Sequence, residues 1–242
     1  MPSMLRVTFL SALLLSSTSV SSPSRAEPAL ASATDAPLAI IGIADGVYKE
    51  QGNALTWALK RTLDKSIEWN NVEVGVTMDA LISAAHCPDA PNRACLSRIA
   101  RLSGLKRFIW GTLTLKKGRV TAQLWLFCAD SIGRTAVLEY SANMVDTFDE
   151  DLLRLANNGL TQLLGAIHFP VQVRSGEPRG TIVVDDVVVG KLEEKAANVA
   201  VTEGDHRFRL VLPDATVVAR SVRVRVESTN HVRLDFISIP ES

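Results

Sequence analysis

An α+β fold, in which an N-terminal mixed α/β sandwich domain is followed by a small all-β sandwich, is predicted by three features of this sequence. The stretch Arg107–Ala129, RFIWGTLTLKKGRVTAQLWLFCA, sets two β-forming runs around a Lys-Lys-Gly turn. On both sides of it, apolar residues recur every three or four positions, the period of helices buried along one stripe. After Pro170 that period stops, and short β-branched, arginine-rich runs alternate instead.

Export is read from the first residues. Arg6 supplies a positive start, Val7–Leu15 a short apolar run, and Ser24-Arg25-Ala26 small residues at the −3 and −1 positions of a cleavage site expected after Ala26. The apolar run fades into serines well short of the roughly 20 residues a membrane-spanning helix needs, so no transmembrane anchor is expected in the mature chain. No cysteine stands near the cleavage point to carry an acyl chain. With Arg6 and Arg25 removed from 26 basic residues, 24 remain against 26 acidic ones, a formal charge of −2. That balance offers no counterion release, and nucleic acid is set aside as a partner. The expected location is periplasmic or secreted.

Residues 27–37, EPALASATDAP, read as a flexible leader. Leu38–Ala44 is an apolar run ending at Asp45-Gly46, a strand buried on both faces. In Asn53–Asn70, Leu55, Leu59, Leu63 and Ile67 form the inner stripe of a helix. Val72–Val76 reads as a second strand, with Thr77 capping a helix from Met78 through Leu81, Ile82 and Ala85. A third helix, Ala94–Ser103, carries Leu96, Ile99, Ala100 and Leu102 and stops at Gly104. The hairpin then leads to a strand at Arg134–Val145, with Ala136, Leu138, Tyr140 and Met144 on one face. A helix over Asp149–Leu164 follows, burying Leu152, Leu153, Leu155, Leu160, Leu163 and Leu164 before Gly165. This order implies a mixed sheet covered by helices on at least one side. The first domain is thus assigned to residues 38–165.

Residues 166–170 read as a hinge, and residues 171–242 as the β domain. Its strands are expected at Val171–Arg174, Thr181–Val184, Val187–Val189, Arg207–Leu212, Val217–Val226 and His231–Ile237, separated by turn residues including Gly180, Asp185-Asp186, Gly190, Glu203-Gly204 and Pro213-Asp214.

Within this second half, Ser175 followed by Pro178-Arg179-Gly180-Thr181, then Val183-Val184-Asp185-Asp186, Gly190 and Glu203-Gly204-Asp205-His206, resembles the PEGA family of small β modules from about Phe169 to Phe236. The departures are Arg179 for Glu, Thr181 for Ala, Asp186 for Gly, and Leu192-Glu193 for Thr-Pro. The resemblance implies a non-catalytic module of bacterial envelopes and surfaces. The first half has an apolar first strand, a long helix, Val72–Thr77 leading into Met78–Ala85, Ala94-Cys95-Leu96, and Trp110-Gly111 in a strand. In this order it loosely resembles envelope domains of the Tol-propeller amino-terminal and curli-secretion or flagellar accessory type.

Export puts Cys87 and Cys95, separated by the polar loop CPDAPNRAC, in an oxidising compartment, where a disulfide between them is expected. Cys128 has inward parity beside Leu124 and Leu126 and reads as a buried thiol. His86, Cys87 and Cys95 fall one ligand short of a structural zinc site, so no metal is assigned. His168, His206 and His231 fall in the hinge and two turns, without a nucleophile or spaced acid. Asp185-Asp186 and Glu193-Glu194 read as turn and solvated-loop residues rather than catalytic pairs. No Walker loop, Gly-x-Ser-x-Gly or Gly-x-Gly-x-x-Gly occurs, so no cofactor and no enzymatic activity are expected.

Two residue sets are candidate binding surfaces. Phe108, Trp110, Trp125 and Phe127 share one parity of the hairpin. They are either buried within the domain or turned to the second domain or a partner. Arg207, Arg209, Arg223 and Arg225 alternate with Phe208, Leu210, Val222, Val224 and Val226, forming either a solvated face or a grip for acidic groups. The function expected is that of a non-enzymatic exported envelope protein mediating protein–protein association or surface attachment. The alternative is a module that binds acidic polysaccharide or peptidoglycan through the arginine face. The partner is an envelope protein or a cell-surface polymer, and homo-oligomerisation is compatible with either.

Overall fold

The computed structural model describes residues 37–43, 48–88, 91–128, 131–226 and 229–235. The expected signal peptide, the expected leader up to residue 36, Asp45-Gly46, Ala129 and the end of the last predicted strand lie outside the described residues. The fold is α+β, built from several small sheets and four helices among the described residues.

The first strand, β1 (Ala39–Ile40), is short and fully buried. Helix α1 spans Lys49–Lys65 and buries Leu55, Leu59 and Leu63, four residues apart on one stripe. It starts and stops earlier than its apolar period predicts. Ser66 is already extended, so Ile67 leaves the stripe and is exposed. Residues 72–76 form no strand. They run beside β1, framed by bridges at Leu38–Asn71 and Gly42–Thr77, with the Val72 N–H donating to the Leu38 carbonyl. Val72 and Val74 are half-buried between exposed Glu73 and Gly75, so the alternation is present, but no continuous ladder of backbone pairs forms between the two bridges.

Helix α2 (Met78–Ala84) is capped by the Thr77 hydroxyl, which accepts from the Ala80 N–H at 3.3 Å. Helix α3 (Arg93–Ser103) is capped by Asn92, whose Oδ1 accepts from the Cys95 N–H, and ends at Gly104 in the left-handed region. Strands β2 (Arg107–Lys116) and β3 (Arg119–Cys128) form the expected hairpin, with Lys117 and Gly118 both at positive φ. Strand β4 (Ser131–Ser141) completes the meander, ending before Met144 and Val145. Helix α4 (Glu150–Leu164) starts at Asp149, whose carboxylate accepts from the Asp151 and Leu152 N–H groups. Leu155 is only half-buried on it.

These strands form a sheet in the order β1-β2-β3-β4, with β1 parallel to β2 and the remaining pairs antiparallel. Both faces are covered. Leucines of α1 and α4 pack with Ile109, Leu113, Leu124 and Leu138 on one side. Met78, Leu81, Leu96 and Ile99 of α2 and α3 pack with Phe108, Trp110 and Phe127 on the other. Each fully buried large side chain contributes about 1.5–3 kcal/mol.

The second half has β5 (His168–Arg174), β6 (Gly180–Val184), β7 (Val187–Leu192), β8 (Ala196–Thr202), β9 (Gly204–Val211), β10 (Val217–Val224) and β11 (Asn230–Arg233). Strand β5 begins inside the segment read as a hinge, and His168, His206 and His231 all lie in strands rather than in hinge and turns. Strand β8 is not signalled by its sequence, because only Val199 and Val201 of its seven residues are buried. It pairs with β5 along its whole length. The order is β10-β9-β6-β7 in one sheet and β11-β5-β8 in the other, with β11 parallel to β5. Ile182, Phe208 and Leu210 of the first meet Val171, Val173 and Val201 of the second in a core. Through Ile167 and Phe169 this core is continuous with that around α4.

Candidate functional site

The two cysteines read as a pair are joined, with their Cα atoms 5.6 Å apart. The bridge ties the end of α2 to the first turn of α3, and Cys95 is fully buried against the aromatic side of the first sheet. Cys128 lies outside the disulfide, half-buried at the end of β3, where burial pushes its thiol pKa up.

The aromatic set is brought together as its parity predicts. Phe108 stands directly opposite Phe127, and Trp110 opposite Trp125. Each pair stacks, with ring centroids 4.8 and 4.4 Å apart. Helices α2 and α3 seal this row, so Phe108, Trp110 and Phe127 are buried and Trp125 is half-buried at the margin. The row is core, held down by the disulfide-linked helices.

The arginine set divides. Across the β9–β10 ladder Arg207 faces Ser221, Arg209 faces Ala219 and Arg223 faces Asp205, which puts these three arginines on the outer side of the sheet. The same side continues through Val183 to Val188 on β7 and through Val211 to Val217 on β10. Val188 is 64% exposed and Val217 is 49% exposed, so this sheet face is open and partly apolar. Arg209 pairs with Asp186, and Arg223 lies 3.9 Å from Asp205. Arg225 falls beyond β10 and turns to α4, where it contacts both oxygens of Glu150 at 3.0 and 3.2 Å.

Asp185 and Asp186 form the β6–β7 turn, both at positive φ. The Asp185 carboxylate accepts from the Arg207 N–H at 2.8 Å and from His206 Nδ1 at 2.6 Å. These hydrogen bonds, the first of them foremost, hold its pKa below the usual carboxylate range. The pair is turn chemistry, as read from the sequence.

A cleft of about 270 Å³ that sequence reasoning missed opens where α4 meets the β8–β9 turn and the end of β10. Glu150, Arg154, Asn157, Glu203, Arg223 and Arg225 line it. Asn157, 7% exposed, donates from Nδ2 to Glu203 Oε2 at 2.7 Å, while its Oδ1 has no hydrogen-bond partner among the described residues. Burial pushes the Glu203 pKa up, against the opposing pull of the Asn157 hydrogen bond and of Arg154 and Arg223. The one signal for this site in the sequence is an asparagine on the inner stripe of an otherwise leucine-lined helix. Among the described residues, no three metal-ligating side chains cluster, and no helix is long and apolar enough to cross a membrane.

No family model matches the chain, so the PEGA resemblance rests on the quoted residues alone. No curated protein matches it either. Three solved structures are similar to it in part. The C-terminal domain of LpoB from Salmonella enterica aligns at 12% identity and a TM-score of 0.33, over 44% of this chain and 82% of its own. A PelC dodecamer from Paraburkholderia phytofirmans aligns at 11% and 0.35, over 53% and 88%. TolB from Acinetobacter baumannii aligns at 11% and 0.35, over 80% and 40%. At these values the similarities assign neither a family nor a function.

Proposed function

We propose that the chain is an exported, non-catalytic binding protein of a bacterial envelope, and that it contacts a partner protein through the outer face of the β10-β9-β6-β7 sheet. The observation that carries this reading is the contrast between the two candidate surfaces. The aromatic row is sealed under α2 and α3, while Val188, Arg207, Val217 and Ala219 stand exposed on an uncovered sheet face. Apolar side chains beside guanidinium groups are the composition of a protein-binding patch. The Cys87–Cys95 bridge supports export, since such bridges persist in oxidising compartments. Acidic polysaccharide is the weaker reading. Arg209, Arg223 and Arg225 each have a carboxylate of this chain beside them, and a polyanion would have to displace it.

Photo-crosslinking residues placed at Val188 and Val217, in the full chain expressed in its own cells, test the proposal. Discrete protein adducts from both positions are expected, with none from Leu102, a comparably exposed leucine on α3. Absence of protein adducts at both positions overturns the reading. Adducts to protease-resistant polymer, lost on Arg207→Glu, would establish the polysaccharide instead.

A further inference from the structure

Strand β4 is an edge of the first sheet, pairing with β3 on one side only. The Ala142 N–H donates to the Gly118 carbonyl, and this sets the phase of the ladder. Ala136, Leu138 and Tyr140 therefore bond back to β3, while Thr135, Val137 and Glu139 turn their N–H and C=O groups away from the sheet. Those outward groups have no hydrogen-bond partner among the described residues, and all three residues are exposed, Val137 by 53%. Lysine, proline or a covering segment usually guards such an edge against pairing. Residues 133–141 have neither lysine nor proline, whereas the edge strand β10 carries Arg220 and Arg223.

We infer that two copies of the chain join β4 to β4 antiparallel across a twofold axis at Val137, continuing the four-stranded sheet of one into that of the other. The charge pattern of the strand is self-complementary in this register. Val137 meets Val137, Thr135 meets the second copy's Glu139, and Arg134, which has no ion pair among the described residues, meets the second copy's Tyr140. No like charges stand opposite, and a threonine hydroxyl is placed to donate to each glutamate. The helices leave room for the pairing. A Cβ at Gly159 would stand 2.9 Å from Leu138 and 3.5 Å from Leu124, so α4 lies over the gap between β3 and β4. Two such helices then run about 10 Å apart across the axis, an ordinary helix-packing distance. Leu155, one turn before Gly159 and only half-buried, gains cover there. This edge belongs to the first sheet and is independent of the β10-β9-β6-β7 face.

The test is sedimentation velocity on the full mature chain over a dilution series, with amide exchange measured at the same concentrations. A dimer that dissociates on dilution is expected. The Thr135, Val137 and Glu139 amides should gain protection as concentration rises, while those of Ala136 and Leu138, bonded to β3 in either state, should not change. Val137→Pro removes an outward N–H without taking a hydrogen bond from β3, a place where an edge strand tolerates proline. Val137→Lys instead sets like charges on the axis. Each should weaken association by about tenfold or more, the first through loss of a reciprocal pair of backbone hydrogen bonds and the second through repulsion. Val188→Lys on the β module should leave it unchanged. A monomer at every concentration, a dimer indifferent to both Val137 variants, or a dimer whose added protection falls on β7 or β10 would each overturn the assignment.

Discussion

Cys87 and Cys95 lie eight positions apart, and closing so short a loop restricts the unfolded chain only moderately. The double variant Cys87→Ser/Cys95→Ser is therefore expected to lose about 2–3 kcal/mol in denaturant titration, and a reductant should cost the parent chain the same and the variant nothing. Gly111 faces a harder limit. A Cβ there would stand 2.7 Å from the Gln123 carbonyl oxygen, a backbone atom of the paired strand, so Gly111→Ala should destabilise by about 1–3 kcal/mol although Gly and Ala differ by one methyl. Glu203 gives a pH signature. Its folded pKa is raised by burial, so the folded state holds the proton more tightly than the unfolded chain does. The associated stability is present below the ordinary glutamate pKa and is lost as pH rises through the raised one. Glu203→Gln keeps an amide partner for Asn157 and should remove that downward slope in a series of thermal melts across the acid range. The disulfide was legible because spacing and compartment both favour it, while Asn157 was not. A single polar residue on a leucine stripe acquires meaning only when the β8–β9 turn is seen to bring Glu203 against it.

At the scale of elements, the parts fixed by local chemistry were readable. Thr77 caps its helix as read and Lys117-Gly118 turns the hairpin, while Asn92 and Asp149 cap theirs with side-chain oxygens that the sequence reading did not single out. Elements held by tertiary pairing were not. Strand β8 owes its place to β5, since its alanines give little β preference of their own, and residues 72–76 carry valines yet find no continuous partner. The β6–β7 turn shows the same interplay at one position. Asp186 adopts φ 71°, and it stands where the resembled family has glycine. Relief of that left-handed conformation outweighs loss of the exposed pair with Arg209, so Asp186→Gly should raise stability by about 0.5–1 kcal/mol in chemical unfolding. A fall in stability would mean that the ion pair, rather than backbone strain, governs the turn.

For the whole molecule, the change in pattern near Pro170 marks a real change from helices on a mixed sheet to paired β-sheets, and that much of the architecture was legible. The sequence did not disclose how the two parts meet. Phe169 is 1% exposed in a core that runs from the leucines of α4 into the β sheets, and Ile167 is buried beside it. Polar contacts cross the same junction: Asn157 to Glu203, Glu150 to Arg225, and Glu68 to His168. A shared apolar core exposes surface on both sides when either side opens, so the two parts should unfold together rather than in sequence. Tryptophan fluorescence reports only on the first half, because Trp57, Trp69, Trp110 and Trp125 all precede Ala166. Amide exchange in β9 reports on the second. The two probes should give one coincident midpoint in denaturant. Phe169→Ala should cost about 3–5 kcal/mol and lower both midpoints equally. Separate midpoints in the parent chain, or a variant that shifts the β9 probe alone, would mean that the junction behaves as a hinge between independent domains.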